Sequence, residues 1–231
     1  MIPSFLKSLL PNHTLPLRIL NGPFRGATIH LNPRYSLRKV FGIYEHELNT
    51  WLESVLSHVD TVIDVGANDG YFTYGCAQAI KRHYNKGHII GFEPALAQQP
   101  ALSMPAVWSQ YAGIDFEFIP LFVGAISNES TITLDKAYNE RPSVHGKPAL
   151  IKVDVEGAEV EVLKGATSLL EEPHHWVVEV HGDHLLDPVL DCFAKAKRPV
   201  DVRPPQPHWL LGPESRSIKT SWVTTKATTR R

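Results

Sequence analysis

Short unbroken apolar runs alternate with longer stretches in which apolar residues return every three or four positions, and this alternation organises most of the chain. The run Thr61-Val62-Ile63-Asp64-Val65 is nearly continuous, as expected of a strand buried on both faces. Residues 88–92, 116–123, 150–154 and 176–180 repeat that pattern and predict four further strands. Between them the spacing predicts helices over residues 70–82, 95–110 and 158–170. A further helix is expected to open with Asp187 as N-cap and Pro188 at its first position. Leu48, Trp51, Leu52, Val55 and Leu56, at offsets of three and four, predict a helix leading into the first of these strands. Strands alternating with helices over short connections predict an α/β fold, a mostly parallel sheet with helices on both faces.

The two ends read differently. Residues 1–48 are rich in proline and glycine, with short apolar runs at 17–20 and 27–31, and predict a small β-rich extension packed on the core. The main domain is expected to span 49–225 and to close with an antiparallel C-terminal hairpin from Asp201 onward. The polar and basic run from Thr224 reads as frayed, with 226–231 a disordered tail. Residues 135–147 read as the longest loop inside the sheet, and loops of that length at strand ends tend to be functional.

Composition narrows the class without naming the chemistry. A chain of 231 residues, 43% hydrophobic and 20% charged, builds its own core and is not disordered. A net charge of -1 gives no global field for nucleic acid or an anionic membrane surface. Cys76 and Cys192 lie far apart and form no metal-type pair, which points to reduced thiols in the cytoplasm. The N-terminal apolar stretch lacks a basic lead and is interrupted by Lys7 and Pro11, so it does not read as a signal peptide. No window approaches the ~18 apolar residues of a membrane span.

The chemistry concentrates at strand ends. The first sheet strand runs into Gly66-Ala67-Asn68-Asp69-Gly70 and directly into a helix, so backbone can approach a ligand closely and free amides favour polar or anionic groups. The spacing is not the G-x-G-x-x-G of dinucleotide sites. The carboxylates of Asp64 and Asp69 suit a ligand with a positive amino acid moiety better than a pyrophosphate. Glu93 ends the second sheet strand, where an acid can accept hydrogen bonds from both ribose hydroxyls. Asp154 and Glu156 end a central strand at the sheet's ligand-binding edge and share a face if the strand persists that far. Glu156 otherwise fits as a cap on the next helix. Glu159 fits that helix's first turn, where a negative charge favours the dipole, and Glu161 and Lys164 are expected to face solvent. Glu179 and His181, two apart on a strand, can point into one cleft.

The run from Ile151 to Ala166, IKVDVEGAEVEVLKGA, resembles the signature block of the FkbM-type methyltransferases, which use S-adenosylmethionine and have the Rossmann-like class I methyltransferase fold. The runs Val62 to Thr73, Gly91 to Pro94, and Trp176 to His181 with its E-x-H ending, resemble that family's other blocks in the same order. The resemblance covers about residues 40–185. It implies S-adenosylmethionine as cofactor and S-adenosylhomocysteine as product. It places Asp64, Gly66, Asn68 and Gly70 along the cofactor's methionine part and Glu93 on its ribose. It implies O-methylation of a sugar, glycan or other hydroxylated small molecule; from the charge and the apolar runs, no nucleic-acid or membrane partner is expected. A Tyr44-Glu45 pair, of a kind common in the family, is expected at the pocket as a lid. His181 is expected to be general base or orienting group, with Asp154 and Glu156 beside it and Glu179 toward the substrate. A neutral imidazole would then be lost below an ordinary value near ~6.5. No complete metal-ligand set is expected, although two neighbouring acids could hold a divalent cation. The other readings are a catalytically silent binding protein of the same fold, and an NAD-dependent oxidoreductase that the missing fingerprint disfavours.

Overall fold

The computed structural model describes residues 10–99, 102, 104–208, 212 and 219–226. A hairpin of β1 (Leu15–Arg18) and β2 (Thr28–Leu31) precedes helix α1 (Asn49–Leu56). Then come β3 (Thr61–Val65), α2 (Tyr71–His83), β4 (Gly87–Phe92), β5 (Ile114–Ile119) and α3 (Leu134–Asn139). The second half holds β6 (Leu150–Val153), α4 (Glu159–Lys164), α5 (Thr167–Glu171), β7 (His175–His181), α6 (Asp183–Lys195), β8 (Val200–Arg203) and β9 (Thr220–Thr225).

The main sheet has seven strands in the order β8-β9-β7-β6-β3-β4-β5. Strands β5 to β7 of that order pair in parallel, while β9 runs antiparallel to both β7 and β8. This is the mostly parallel α/β sheet that the sequence predicts, with its C-terminal hairpin folded into the sheet. The period-two alternation of each strand divides the core. Val62, Ile89, Leu150, Val177 and Trp222 face one layer with α1, α2 and the β1–β2 hairpin. Ile63, Ile90, Ile151, Val178 and Val223 face the other, with α4, α5 and α6. Each such aliphatic side chain, fully buried, contributes about 1.5–3 kcal/mol. Ile19, Phe24, Ile29 and Leu31 of the N-terminal extension join the first layer. The chain steps outward from β3 to β5, then crosses back to β6 and β7, so the connections after β3 and β6 leave in opposite directions and a crevice opens above the carboxyl edge between them. None of the described helices is long and apolar enough to cross a membrane.

Several boundaries differ from the sequence expectations, each for a local reason. Among the described residues, the helix expected over 95–110 gives way to short turns that include Leu96–Gln98, Pro105–Trp108 and Ser109–Tyr111, because Pro94 and Pro105 lack the amides a continuous helix needs. The third strand stops at Ile119, before Pro120, and Phe122–Val123 pairs with Thr131–Ile132 outside the main sheet. The helix expected over 158–170 breaks at Gly165, where a Cβ would meet Gly124 O at 2.0 Å. Residues 135–147 are not one continuous loop. They hold α3, capped by Thr133, and Asp135 accepts hydrogen bonds from Thr167 Oγ1 and from the Ser168 and Leu169 amides at the start of α5. Asp187 does not cap the last helix. It starts at Asp183 and carries Pro188 inside it, the local cost being one lost backbone bond. Thr224 and Thr225 are buried in β9, where Thr225 O accepts from Trp51 Nε1 at 2.7 Å and Thr225 Oγ1 from the Trp176 amide at 2.9 Å. The tail expected over 226–231 lies outside the described residues from 227 onward.

At the opposite end of β7 two histidines are buried. Burial, reinforced by Arg198, His58 and His174, pushes His175 down to about 4; burial also lowers His174, against the pull of Glu172. A histidine kept neutral by the fold takes its proton only on unfolding. Stability therefore falls as pH drops from the ordinary 6.5 toward 4. A loss of about 1–2 kcal/mol by pH 5 corresponds to roughly 3–6 °C of Tm for a chain of this size. Asp64, pushed up to about 6 by burial, pulls the other way over the same interval. The histidine contribution is therefore read as a difference: thermal melts at pH 7 and pH 5 should show a smaller acid loss in His175→Gln than in the wild type. An equal loss in both would remove His175 from the account.

Candidate active site

A cleft of about 720 Å³ occupies the crevice at the carboxyl ends of the parallel strands. One side is built by the turn after β3. Gly66 has φ +87°, and a Cβ there would meet Asp154 O at 1.9 Å, so glycine is what lets the ends of β3 and β6 close on each other. The Asn68 amide donates to Glu93 Oε2 and the Ala95 amide to Glu93 Oε1, both at 2.9 Å. Gln99 Nε2 donates to Asn68 Oδ1 at 3.2 Å. Gly66, Asn68, Glu93 and Gln99 line the cleft together with Leu121, Phe122 and Val123 beyond β5.

The other side comes from β6, β7 and β9. Asp154, Val155, Glu156 and Ala158 follow β6; Glu179 and His181 end β7; Thr220 opens β9; Tyr44 arrives from the N-terminal extension. His181 Nδ1 lies 2.7 Å from Glu159 Oε1, and its Nε2 lies 3.8 Å from Asp154 Oδ1. Glu159 is fully buried and also accepts from the Gly157 amide at 2.9 Å. The hydrogen bond to Glu159 raises the His181 pKa; burial opposes this, and the charges of Glu179, Glu159 and Asp154 add to it. The unshifted value near ~6.5 expected for this imidazole therefore does not hold.

Behind the wall lies a buried charge cluster. Lys152 Nζ is 2.8 Å from Asp154 Oδ2, 3.8 Å from Asp64 Oδ1 and 5.4 Å from the centroid of the Phe72 ring. Asp64 accepts from Thr73 Oγ1 at 2.6 Å. Burial pushes Asp64 up to about 6, against Lys152 and Thr73. Burial pulls Lys152 down, but Asp154, Asp64 and Glu45 more than reverse this, and the ammonium stays charged.

The sequence-selected residues thus fall into two groups. Gly66, Asn68, Glu93, Tyr44, Asp154, Glu156, Glu179 and His181 stand on the cleft wall. Asp64, Asp69, Gly70 and Glu45 do not. Asp64 is turned to Lys152 and Thr73, and Asp69 binds Lys39 Nζ at 2.5 Å and the Tyr71 amide at 3.1 Å. Gly70, at φ +79°, starts α2, and Glu45 is buried near Lys152. β6 ends at Val153, so Asp154 and Glu156 are not placed by strand alternation; Glu156 is exposed, at φ +52°, and caps no helix. Glu161 and Lys164 pair with each other on the surface. Lys152 and Thr220 are not among the residues the sequence singles out, and Glu159 does open the helix as expected but turns to His181. A lysine inside an otherwise apolar strand was the available signal for the first. One donor atom each of Asp154, Glu179 and His181 lies within 4.8 Å of the others, close enough for a small cation, but the positive charge that Asp154 meets here is the Lys152 ammonium.

Residues 118–195 match the family described as Methyltransferase FkbM domain, and over that span the resemblance read from the sequence holds. A curated relative, Hexuronic acid methyltransferase AglP of Haloferax volcanii, is 29% identical over 164 residues, 62% of this chain and 65% of the relative. The chain thus spans just under two thirds of that relative's length. Among solved structures, methyltransferase FkbM of Methylobacillus flagellatus is 16% identical at a TM-score of 0.47, covering 72% of this chain and 43% of that one. Precorrin-6y C5,15-methyltransferase of Geobacter metallireducens is 11% identical at a TM-score of 0.49, covering 78% and 88%.

Proposed function

We propose that this chain, whose residues 118–195 match the FkbM methyltransferase domain, is an S-adenosylmethionine-dependent methyltransferase acting on a hydroxyl of a sugar, a glycan or another small molecule. One arrangement carries the reading: Glu93 stands beside the Gly66 turn in the same cleft that His181 faces from the other side. Gly66, Asn68 and Glu93 are assigned to the cofactor, with Glu93 on the ribose hydroxyls. Asp64, Asp69 and Gly70 support that side from behind by holding the turn. Asp154, Glu156, Glu179 and His181 are assigned to the acceptor, with Tyr44 closing over it from the N-terminal side of the domain. The sugar named in the relative from Haloferax volcanii supports a carbohydrate acceptor. The free thiols of Cys76 and Cys192 suit a cytoplasmic site of action.

The cofactor supplies an electrophilic methyl on a positively charged sulfur. With Gly66, Asn68 and Glu93 holding that cofactor, its methyl would go to an acceptor hydroxyl oriented by Asp154, Glu179 and His181, and the electron pair of the broken bond would remain on the product's sulfur. The hydroxyl proton passes to His181 Nε2. Holding oxygen, carbon and sulfur in line can be worth about 7–11 kcal/mol, and the base a further 10²–10⁴ in rate, as orders of magnitude.

Glu93→Ala should weaken S-adenosylhomocysteine binding by about 1.5–3 kcal/mol, or roughly 10- to 150-fold, because it removes the carboxyl acceptor from the ribose and frees the Asn68 amide. Calorimetry reads this directly, and unchanged affinity would move the ribose elsewhere. The reaction itself is tested with methyl-labelled S-adenosylmethionine and a panel of glycosides, with and without a chelator. Label on oxygen, insensitive to the chelator, is the expected result. Label on nitrogen or carbon, or restoration of a chelated enzyme by magnesium, would overturn the assignment of the acceptor side.

A further inference from the structure

We infer that Glu159 is a positioning residue: it takes the Nδ1 proton of His181, so that Nε2 is the nitrogen turned to the acceptor. The inference rests on the reading of His181 as the group that receives the acceptor's proton, and adds what holds that group. The sequence places Glu159 two residues beyond the Gly157 turn and 22 before His181, on a different element. The fold brings them to 2.7 Å. Glu159 Oε1 is shared between His181 Nδ1 and the Gly157 amide, so the carboxylate is anchored to the turn after β6 as well as to the ring. The side chain is shut off from solvent, and its second oxygen, Oε2, makes no hydrogen bond among the described residues. A fully buried carboxylate is costly unless a strong partner meets it. The imidazole N–H is that partner.

The consequence is directional. Neutral imidazole in water favours neither nitrogen strongly enough to fix a mechanism, and a carboxylate on one nitrogen decides which carries the proton. With Nδ1–H held by Glu159, the lone pair sits on Nε2, on the side of Asp154 and the cleft. The groups facing the ring are Glu159 from α4, Asp154 beyond β6, Glu179 on the ring's own strand and Thr220, its pairing partner on β9. Of these carboxylates, Glu159 is the one at hydrogen-bond distance from Nδ1. It also raises the basicity of the ring, which favours proton uptake from a hydroxyl.

The test is nitrogen NMR of the full chain with labelled histidine, the His181 signal being assigned by its loss in His181→Gln. At a pH above its titration, the wild-type ring should be the Nδ1–H tautomer. Glu159→Gln keeps the shape and an accepting oxygen, so it should keep that tautomer while the ring titrates at lower pH. With S-adenosylmethionine saturating, it should also lose about tenfold or more in kcat, at unchanged KM for the cofactor. Glu159→Ala should lose the tautomer preference as well. An Nε2–H tautomer in the wild type, or a titration midpoint that does not move in Glu159→Gln, would overturn the inference. Neither result depends on the acceptor or on cofactor binding. S-adenosylhomocysteine calorimetry on the same samples separates failure of this inference from failure of the methyltransferase reading.

Discussion

Replacing His181 with alanine should lower turnover by about 10²–10⁴ and leave cofactor affinity within about twofold. The range is that of a positioned general base, and in barrier height it is about 3–5 kcal/mol. The split between the two readouts follows from position. His181 ends β7 on the acceptor side, whereas the Gly66 turn and Glu93 stand at the ends of β3 and β4. Among the described residues the ring's hydrogen bond and ion pairs go to Glu159 and Asp154, so its loss should leave the turn's hydrogen bonds at Asn68 and Ala95 intact. Turnover should also fall as pH drops, with a midpoint above the ordinary 6.5, because the Glu159 carboxylate raises the imidazole. Single-turnover rates at saturating S-adenosylmethionine across pH 5–9 would read both effects. A His181→Ala protein that keeps full turnover, or a wild-type midpoint below 6.5, would exclude the ring as base.

The largest effect on stability should come from Lys152→Met. Methionine fills the volume and packs on Phe72, but it leaves Asp64 fully buried with Thr73 as its remaining hydrogen-bond partner. Breaking a buried pair by removing one partner costs about 3–5 kcal/mol, or roughly 6–20 °C of Tm for a chain of this size. Adding Asp64→Asn should restore much of the loss, since the uncompensated charge is then gone. The four proteins form a double-mutant cycle, and chemical denaturation gives the coupling. Additive losses would mean that Lys152 and Asp64 are not coupled. The same ammonium meets Asp154 on the cleft wall, so Lys152→Met should also reduce turnover of the molecules that remain folded.

The core strands were legible because burial on both faces writes a continuous apolar run, and β3 matches its run residue for residue. The antiparallel hairpin was legible from its prolines and the glycine turn at Gly212, though its insertion beside β7 was not. What failed depended on distant partners. Asp187-Pro188 is a good local helix start, yet the helix begins a turn earlier, against the end of β7, and absorbs the proline. The break at Gly165 is set by the Gly124 carbonyl, 41 positions earlier in the chain. At the site, Gly66, Glu93, Asp154 and His181 could be selected because strand ends at one sheet edge are where ligands meet such folds. Asp64 and Asp69 have the same residue type but answer to Lys152 and Lys39, and no spacing rule shows that. Lys152, and the turn of Glu159 to His181, escaped for the converse reason. Charged residues are read as exposed until the partner that buries them is seen.

The cleft should bind S-adenosylmethionine through the Gly66 turn and Glu93, and calorimetry on the wild-type chain is the shortest route to that answer. Titrations with S-adenosylhomocysteine, S-adenosylmethionine and NAD should give saturable one-to-one binding for the first two and none for the third. Binding of NAD, or no binding of either sulfur ligand by a protein whose melting curve shows it folded, would contradict the account.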